Sequence, residues 1–150
     1  MAQSLAKNLV HLIFSTKNRQ PLISEEVQSC LHRYMTGIFR DLGSPVLCVN
    51  SVPDHIHILF NLNKNRALAD VIMEIKRGTS KWIKTQGPLL RRFNWQSGYG
   101  AFSVSQSAVA QVTRYIVEQP KHHRKKTFQE EFCAFLRRYD IEFDDRYIWD

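Results

Sequence analysis

The sequence predicts an α+β domain with elements in the order β-α-β-β-α-β, followed by further helices. Short segments with alternating apolar residues, such as 8–16 and 46–52, are typical of strands. Longer segments with apolar residues three or four positions apart, such as 25–42 and 67–86, are typical of helices. This order is the split βαβ pattern of a ferredoxin-like antiparallel sheet, with its helices on one face. The length favours one domain, 1–150.

The first strand and the first helix follow from local patterns. Residues 8–16 predict a strand because every second side chain from Val10 to Phe14 is apolar and shares one face. Ser24 is a good helix N-cap, and two glutamates after it suit the positive end of the helix dipole. Gly43 is expected to end this helix.

The next two strands form a predicted hairpin that carries two histidines. Residues 46–52 predict the second strand, and the short Pro53-Asp54 link joins it to an antiparallel partner. In that partner His55 and His57 emerge on one face, because side chains alternate along a strand. Two imidazoles side by side on a strand are half of a metal site.

Three further elements complete the domain. Residues 67–86 predict a second helix with a buried apolar stripe, and residues 102–105 predict a short fourth strand. Near the end of the chain, Thr127 followed by Glu130 predicts a capping box for a last helix.

The segment 107–119 predicts the helix that supplies the rest of the site. Tyr115 and Gln119 are four residues apart, so the phenol and the amide share a face. Pro120 disfavours helical geometry at the residue before it, so the helix is expected to break or bend there. Two imidazoles, an amide and a phenol together suit a nucleophile attacking a phosphodiester that is held on a divalent ion.

Composition indicates the kind of partner and compartment. The net charge is +7 and the isoelectric point is near 9.5, which favours a polyanion, nucleic acid first. No apolar run is long enough to cross a bilayer, so no membrane association is expected. The three cysteines are odd in number and widely separated, which is typical of reduced thiols in a cytoplasmic protein.

These motifs resemble the single-tyrosine HUH transposases of insertion sequences, the IS200-like transposases, where HUH means histidine-hydrophobic-histidine. The resemblance covers nearly the whole chain, and its specificity lies in the order and spacing of the motifs. The matching segments are Phe14 to Arg19, Val52 to Leu59, Trp95 to Gly100, Phe102 to Ser105, Tyr115 and Ile116 with Gln119, His122 and His123, and Thr127 to Glu131.

The resemblance implies a DNA transposase that cuts and rejoins single-stranded DNA through a 5′-phosphotyrosine. It implies Tyr115 as the nucleophile, and His55, His57 and Gln119 as ligands of Mg²⁺ or Mn²⁺. The implied partners are the hairpin ends of a single DNA strand and a second copy of the chain. In that homodimer the active sites are shared, with histidines from one subunit and tyrosine from the other. The implied location is the cytoplasm of a bacterial or archaeal cell, with association with the nucleoid during action.

Basic residues in three places are predicted to contact DNA. The second helix carries a basic face near its C-terminal end. These basic residues either interact favourably with the helix dipole or bind the DNA backbone, and the sequence favours neither. The densest basic run directly follows Gln119 and would lie close to any phosphate handled there. The predicted contacts are Lys17, Arg19, Arg77, Lys81, Lys84, Lys121, Arg124, Lys125 and Lys126.

Two other functions stay open at this point. One is a domesticated relative that binds structured DNA or RNA without mobilising an element, since RNA-binding modules share the fold. The other is a metal-dependent phosphoesterase that uses water. A covalent DNA adduct on Tyr115 separates the first function from both, because only a nucleophilic tyrosine forms one.

Overall fold

In the computed structural model, which describes residues 2–122 and 125–150, four antiparallel strands form one sheet in the order β2-β3-β1-β4. This is the ferredoxin-like order that the sequence predicts. The strands are β1 (Leu9–Ser15), β2 (Val46–Val52), β3 (His55–Asn61) and β4 (Gly100–Ser103). The helices are α1 (Glu25–Asp41), α2 (Leu68–Ile83), α3 (Val109–Val117), α4 (Gln119–His122) and α5 (Phe128–Arg138).

The hairpin of β2 and β3 forms as predicted, with Val52 paired to His55 across the turn. The fourth strand begins two residues earlier than predicted, at Gly100, and pairs with β1 from Ile13 to Val10. The apolar pattern does not reveal this start, because the strand residue is a glycine. An added Cβ at Gly100 would lie 2.6 Å from Cε2 of Phe132, so the glycine makes room for α5.

Helices cover both faces of the sheet. α1 and α2 pack on one face and close an apolar core around Leu12, Phe14 and Ile58. The C-terminal helix α5 packs on the other face through Phe128, Phe132, Phe135 and Leu136, against Ile13 and Phe102 of the sheet. The histidines of β3 project towards this second face, because their neighbours Ile56 and Ile58 lie in the first core.

The helix that carries Tyr115 is interrupted, as Pro120 predicts. α3 ends at Val117, Glu118 is its C-cap, and α4 restarts at Gln119 with Pro120 in its first turn. A proline is tolerated there because the first N–H groups of a helix have no partner within the helix. The predicted cap of α5 is also present, since the N–H of Glu130 donates to Oγ1 of Thr127 at 3.2 Å.

The loop before β4 is tied to the sheet by polar contacts. Gln96 accepts from the N–H of Ser15 through Oε1 at 2.7 Å, and its own N–H donates to the Ser15 carbonyl. Lys76 of α2 donates from Nζ to the carbonyls of Gln96 and Gly98, at 2.8 and 2.6 Å. In the described part of the chain, no helix has the length and apolar character needed to cross a membrane.

Candidate functional site

The two histidines of β3 are fully buried between the sheet and the C-terminal helices. Neither His55 nor His57 exposes any side-chain surface. The ring of His55 packs against Phe128 of α5, with centroids 4.7 Å apart. The ring of His57 lies 5.8 Å from that of Tyr115 on α3. The sequence therefore predicts correctly that the two imidazoles share a face, and the structure adds that helices cover this face.

A carboxylate that the sequence analysis did not assign lies at the centre of the site. Glu131 of α5 is 3% exposed. Its Oε1 lies 2.9 Å from Nε2 of His57 and 3.4 Å from Nε2 of His55. Its Oε2 accepts a hydrogen bond from the Tyr115 hydroxyl and another, at 3.3 Å, from Nε2 of Gln119. One buried carboxylate thus joins both histidines, the tyrosine and the glutamine.

Each histidine is held from behind through its other ring nitrogen. Nδ1 of His55 lies 2.7 Å from the carboxylate of Asp54, and Nδ1 of His57 lies 2.9 Å from Nε2 of His11. Burial, together with the neighbouring His57, lowers the pKa of His11 to about 3, so His11 is neutral and its Nε2 can accept a hydrogen bond from Nδ1–H of His57. Partners of this kind orient metal-binding histidines and fix their tautomer.

The carboxylates act on His55 in the opposite direction. Burial alone would lower the pKa of His55, but hydrogen bonds and negative charge from Asp54 and Glu131 outweigh it and raise the pKa. The two carboxylates therefore surround His55 with negative charge. Such an environment favours a cation at the Nε2 side of the ring.

The donor set fits a divalent ion. One ligand atom each from His55, His57 and Glu131 lie within 4.8 Å of one another, and all three residues are buried. Oε1 of Glu131 lies 2.9 Å from Nε2 of His57 and 3.4 Å from Nε2 of His55, and donors around one ion with bonds of about 2 Å lie about 3–4 Å apart. Two imidazoles and one carboxylate suit Mn²⁺ or Zn²⁺ better than Mg²⁺, which prefers oxygen ligands. These three residues could therefore hold a metal ion.

Tyr115 lies in the same cluster as the histidines of its own chain. Its ring packs edge-on against Phe135 at 5.6 Å, and its hydroxyl points to Glu131. Burial, with the adjacent Glu131 charge, raises the pKa of Tyr115 above its ordinary value. The phenol therefore keeps its proton in this arrangement, and a positive charge near Glu131 would lower its pKa again.

Gln119 enters the cluster through its amide nitrogen. This residue is fully buried at the start of α4, and its Nε2 reaches both Glu131 and, at 3.4 Å, the carbonyl of Tyr115. The structure thus brings Gln119 to the histidines, as the shared helix face predicts. Its predicted role as a metal ligand stays a prediction.

Glu131 and His11 are the site residues that sequence reasoning missed, although each left a signal. Glu131 lies three residues after Phe128 and four before Phe135, so it is a charge on the apolar face of α5. His11 occupies an inward position of β1, directly paired with Leu59. A charged or titratable residue on a buried face indicates a paired or functional group.

The predicted DNA contacts fall in different places. Lys17 and Arg19 lie in a turn beside the site, because Thr16, just before it, donates from its N–H to the carbonyl of Asp54 at 2.9 Å. Of the run after Gln119, Lys121, Lys125 and Lys126 are exposed, and Arg124 lies outside the described residues. The α2 residues lie on the layer of helices behind the sheet, on the face opposite the histidines; they are Arg77, Lys81 and Lys84.

The chain is similar to known proteins both in sequence and in fold. The family model described as IS200-like transposase matches residues 4–119, which include both histidines, Tyr115 and Gln119. The match ends before Glu131. The ISDra2 transposase TnpA of Deinococcus radiodurans is 26% identical over 114 residues, which make up 73% of this chain and 81% of that protein.

Two solved structures share the fold. One is the crystal structure of a candidate transposase from Deinococcus radiodurans R1, with a TM-score of 0.65 and 24% identity, covering 79% of this chain and 98% of that one. The other is a REP-associated tyrosine transposase bound to a REP hairpin, with a TM-score of 0.61 and 16% identity, covering 82% and 73%. Since the family model spans well over half of its length, the chain belongs to the family of IS200-like transposases.

Proposed function

We propose that this transposase cleaves and rejoins single-stranded DNA by covalent catalysis on Tyr115. The observation that carries the proposal is the contact between the Tyr115 hydroxyl and Glu131, the same carboxylate that meets Nε2 of both histidines. A nucleophile and a candidate metal group therefore share one buried cluster. A structural tyrosine would not need a carboxylate and two imidazoles around its hydroxyl.

The reaction transfers a phosphoryl group without loss of bond energy. The oxygen of Tyr115 forms a bond to the phosphorus of the scissile phosphodiester, and the bond from phosphorus to the 3′-oxygen breaks. The products are a 5′-phosphotyrosine and a 3′-hydroxyl, which takes up one proton. The tyrosine proton leaves towards Oε2 of Glu131, which already accepts its hydrogen bond. Attack of a 3′-hydroxyl on the phosphotyrosine reverses these changes and rejoins DNA.

We propose that His55, His57 and Glu131 hold the cofactor, either Mn²⁺, which suits this donor set, or Mg²⁺, which the family resemblance also implies. The positive charge that it supplies when bound polarises the scissile phosphate and offsets the charge of Glu131. Gln119 contacts Glu131 and is the further ligand that the resemblance implies. His11 and Asp54 hold the two imidazoles in the tautomer that leaves Nε2 for the ion.

The proposed substrate is a single DNA strand with hairpin ends. The net charge of +7 supports a nucleic-acid partner, and the turn that carries Lys17 and Arg19 places positive charge beside Asp54. A structural neighbour, the REP-associated tyrosine transposase, is bound to a REP hairpin. Hairpin recognition by this chain is therefore the natural specificity to test.

The decisive experiment is covalent capture of DNA. Wild-type protein is incubated with a hairpin-bearing single strand and Mn²⁺, and the adduct is resolved on a denaturing gel. Tyr115→Phe keeps the ring but deletes the nucleophile, so it should form no adduct. Tyr139→Phe, on a half-exposed tyrosine of the same layer, is the matched control and should react normally.

Three outcomes would contradict the proposal. An adduct with Tyr115→Phe would assign the nucleophile elsewhere. Strand cleavage by wild type without any adduct would indicate a hydrolytic phosphoesterase, and hairpin binding without cleavage would indicate a domesticated binding protein.

The shared-site homodimer needs a separate experiment. Tyr115 lies beside the histidines of its own chain, with its ring 5.8 Å from that of His57, and this contact supports a site built within one subunit. Mixing inactive His57→Ala and Tyr115→Phe proteins, with subunit exchange verified by two tags, distinguishes the arrangements. Recovered adduct formation would support sites shared in a dimer, whereas no recovery would place the tyrosine in its own subunit's site.

A further inference from the structure

We propose that Asn50 of β2 is a positioning residue for the nucleophile. Its amide Nδ2 donates to the carbonyls of Ile116 and Val117, at 3.0 and 3.2 Å. These are the last two residues of α3 and directly follow Tyr115. This inference rests on the proposed function, because it concerns how that function's tyrosine is held over the sheet.

The need for such a contact follows from the break in the helix. In a continuous helix the carbonyl of Ile116 accepts from the N–H of residue 120, but that residue is Pro120 and has no N–H. The carbonyl of Val117 would accept from the N–H of Lys121, which instead donates to Glu118 at 2.9 Å. The Asn50 amide therefore supplies donors to two carbonyls that the break deprives of their helical partners.

The orientation of the Asn50 amide is fixed by its neighbours. Its Oδ1 accepts from the N–H of Ser51 at 3.0 Å and from Nε2 of Gln28 at 3.2 Å. Nε2 of Gln28 is itself anchored on the Ser51 carbonyl at 2.9 Å. With backbone N–H on one side and backbone carbonyls on the other, the amide can satisfy both sides in only one orientation.

The position of the clamp explains what it controls. The clamp, meaning Asn50 with its two carbonyl partners, joins the end of α3 to the strand that pairs with β3. Its partners lie between Tyr115 and Gln119, so it fixes both residues relative to the histidines. Loss of the clamp would leave DNA binding intact but would misplace the attacking oxygen, and small misplacements cost large factors in rate.

The test compares Asn50→Ala with Asn63→Ala. Asn63 also caps a helix end, donating from Nδ2 to one carbonyl, that of Leu42 after α1, at 3.2 Å, and α1 carries neither Tyr115 nor a candidate metal ligand. Both variants should lose similar stability. At saturating hairpin DNA and Mn²⁺, adduct formation should slow at least about tenfold in Asn50→Ala and stay unchanged in Asn63→Ala. The Kd for DNA should stay within about twofold for both.

A second variant and a second measurement keep the test decisive. Gln28→Ala leaves the Asn50 side chain in place but removes one of its anchors, so it should slow adduct formation less than Asn50→Ala does. Hydrogen exchange of the α3 amides should accelerate in Asn50→Ala and not in Asn63→Ala, and this readout does not depend on catalysis.

The contradicting outcomes are distinguishable. Equal adduct rates for Asn50→Ala and Asn63→Ala, with an active wild type, would refute the positioning role alone. An equal loss of DNA binding and rate would assign Asn50 to DNA contact and also refute it. A wild type that forms no adduct at all would refute the proposed function, whatever hydrogen exchange shows at α3.

Discussion

Ile58 and His57 are neighbours on β3, yet their side chains enter two different interiors. Ile58 lies in the apolar core under α1 and α2, where its partners include Leu12 and Phe14. His57 lies in a polar cluster under α3 and α5, between His11 and Glu131. The first interior gains free energy by removing apolar surface from water. The second buries groups that cost free energy unless every partner is present.

The difference shows how one sheet divides stability from chemistry. Buried polar and charged groups contribute little net stability, and replacing them with apolar groups often stabilises a protein. The apolar interior is therefore explained by the fold, and the polar interior by the proposed reaction. Substitutions on the apolar face should mainly change the free energy of unfolding, and substitutions on the polar face should mainly change metal binding and adduct formation.

The largest expected effect is on activity. It is tested by a pair of substitutions, each of which shortens one side chain on one face of β3. His57→Ala should abolish adduct formation and Mn²⁺ binding, while the free energy of unfolding falls by about 1–3 kcal/mol because the buried groups around His57 are left unsatisfied. Ile58→Ala should lower the free energy of unfolding by about 2–5 kcal/mol and leave Mn²⁺ binding intact. Chemical denaturation and metal titration of both variants check this, and equal loss of metal binding would contradict the division.

The next effect compares the two proposed metal ligands of the polar interior that are not histidines, Glu131 and Gln119. Glu131→Gln keeps the shape but removes the charge, so Mn²⁺ affinity should fall by more than about tenfold. Glu130→Gln, next to it but exposed, should bind Mn²⁺ normally. Gln119→Ala should weaken binding less than Glu131→Gln, because Gln119 reaches the cluster through Glu131. Calorimetric titration with Mn²⁺ measures all three, and a larger loss for Gln119→Ala would reverse the assignment.

Two glycines, Gly100 in the sheet and Gly78 in α2, extend the comparison. Substituting either one is expected to change the free energy of unfolding only. At Gly100 an added methyl meets the buried ring of Phe132 at 2.6 Å and that of Phe102 at 3.1 Å, so Gly100→Ala should cost about 1–3 kcal/mol of stability. At Gly78 of α2 it meets only the terminal methyl of Ile38, at 2.7 Å, and helix propensity compensates. Gly78→Ala should therefore stay within about 1 kcal/mol of wild type in denaturant titrations. Similar losses at both positions would contradict this difference.

The smallest expected effect is on the salt dependence of DNA binding. Replacing the exposed Lys121, Lys125 and Lys126 by Ala should reduce the log–log slope by about 0.7 for each phosphate that the protein no longer binds. Replacing Arg77, Lys81 and Lys84 by Ala should leave the slope unchanged, because α2 lies on the face away from the histidines. A fall in slope for the α2 set would show that DNA also contacts the outer surface of the α1 and α2 layer.

The fold was predictable because its signals are local. Strand alternation, the Pro53-Asp54 turn, the Thr127 cap and the Pro120 break each act within a few residues, and each is present in the structure. The start of β4 at Gly100 was not predictable, because a glycine gives no apolar signal and its role depends on Phe132, distant in the sequence.

The site was predictable only where its residues share an element. His55 with His57, and Tyr115 with Gln119, are pairs at strand and helix spacing. Glu131 reaches the same cluster from a third element, and no local rule states that α5 folds across the histidine face. Its charge on an apolar helix face indicated a buried partner, but which partner depends on tertiary packing.

The dependence on α5 has a consequence for how the protein is made. Synthesis proceeds from the N-terminus, so both histidines and Tyr115 leave the ribosome before Glu131 does. A nascent chain that includes Tyr115 but not yet Glu131, or one from a gene with a premature stop codon between these residues, carries a tyrosine and two histidines but lacks the carboxylate that joins them. On the proposed mechanism, DNA-cutting capacity arises only after α5 has been synthesised, and copies of the gene truncated before α5 encode proteins without it.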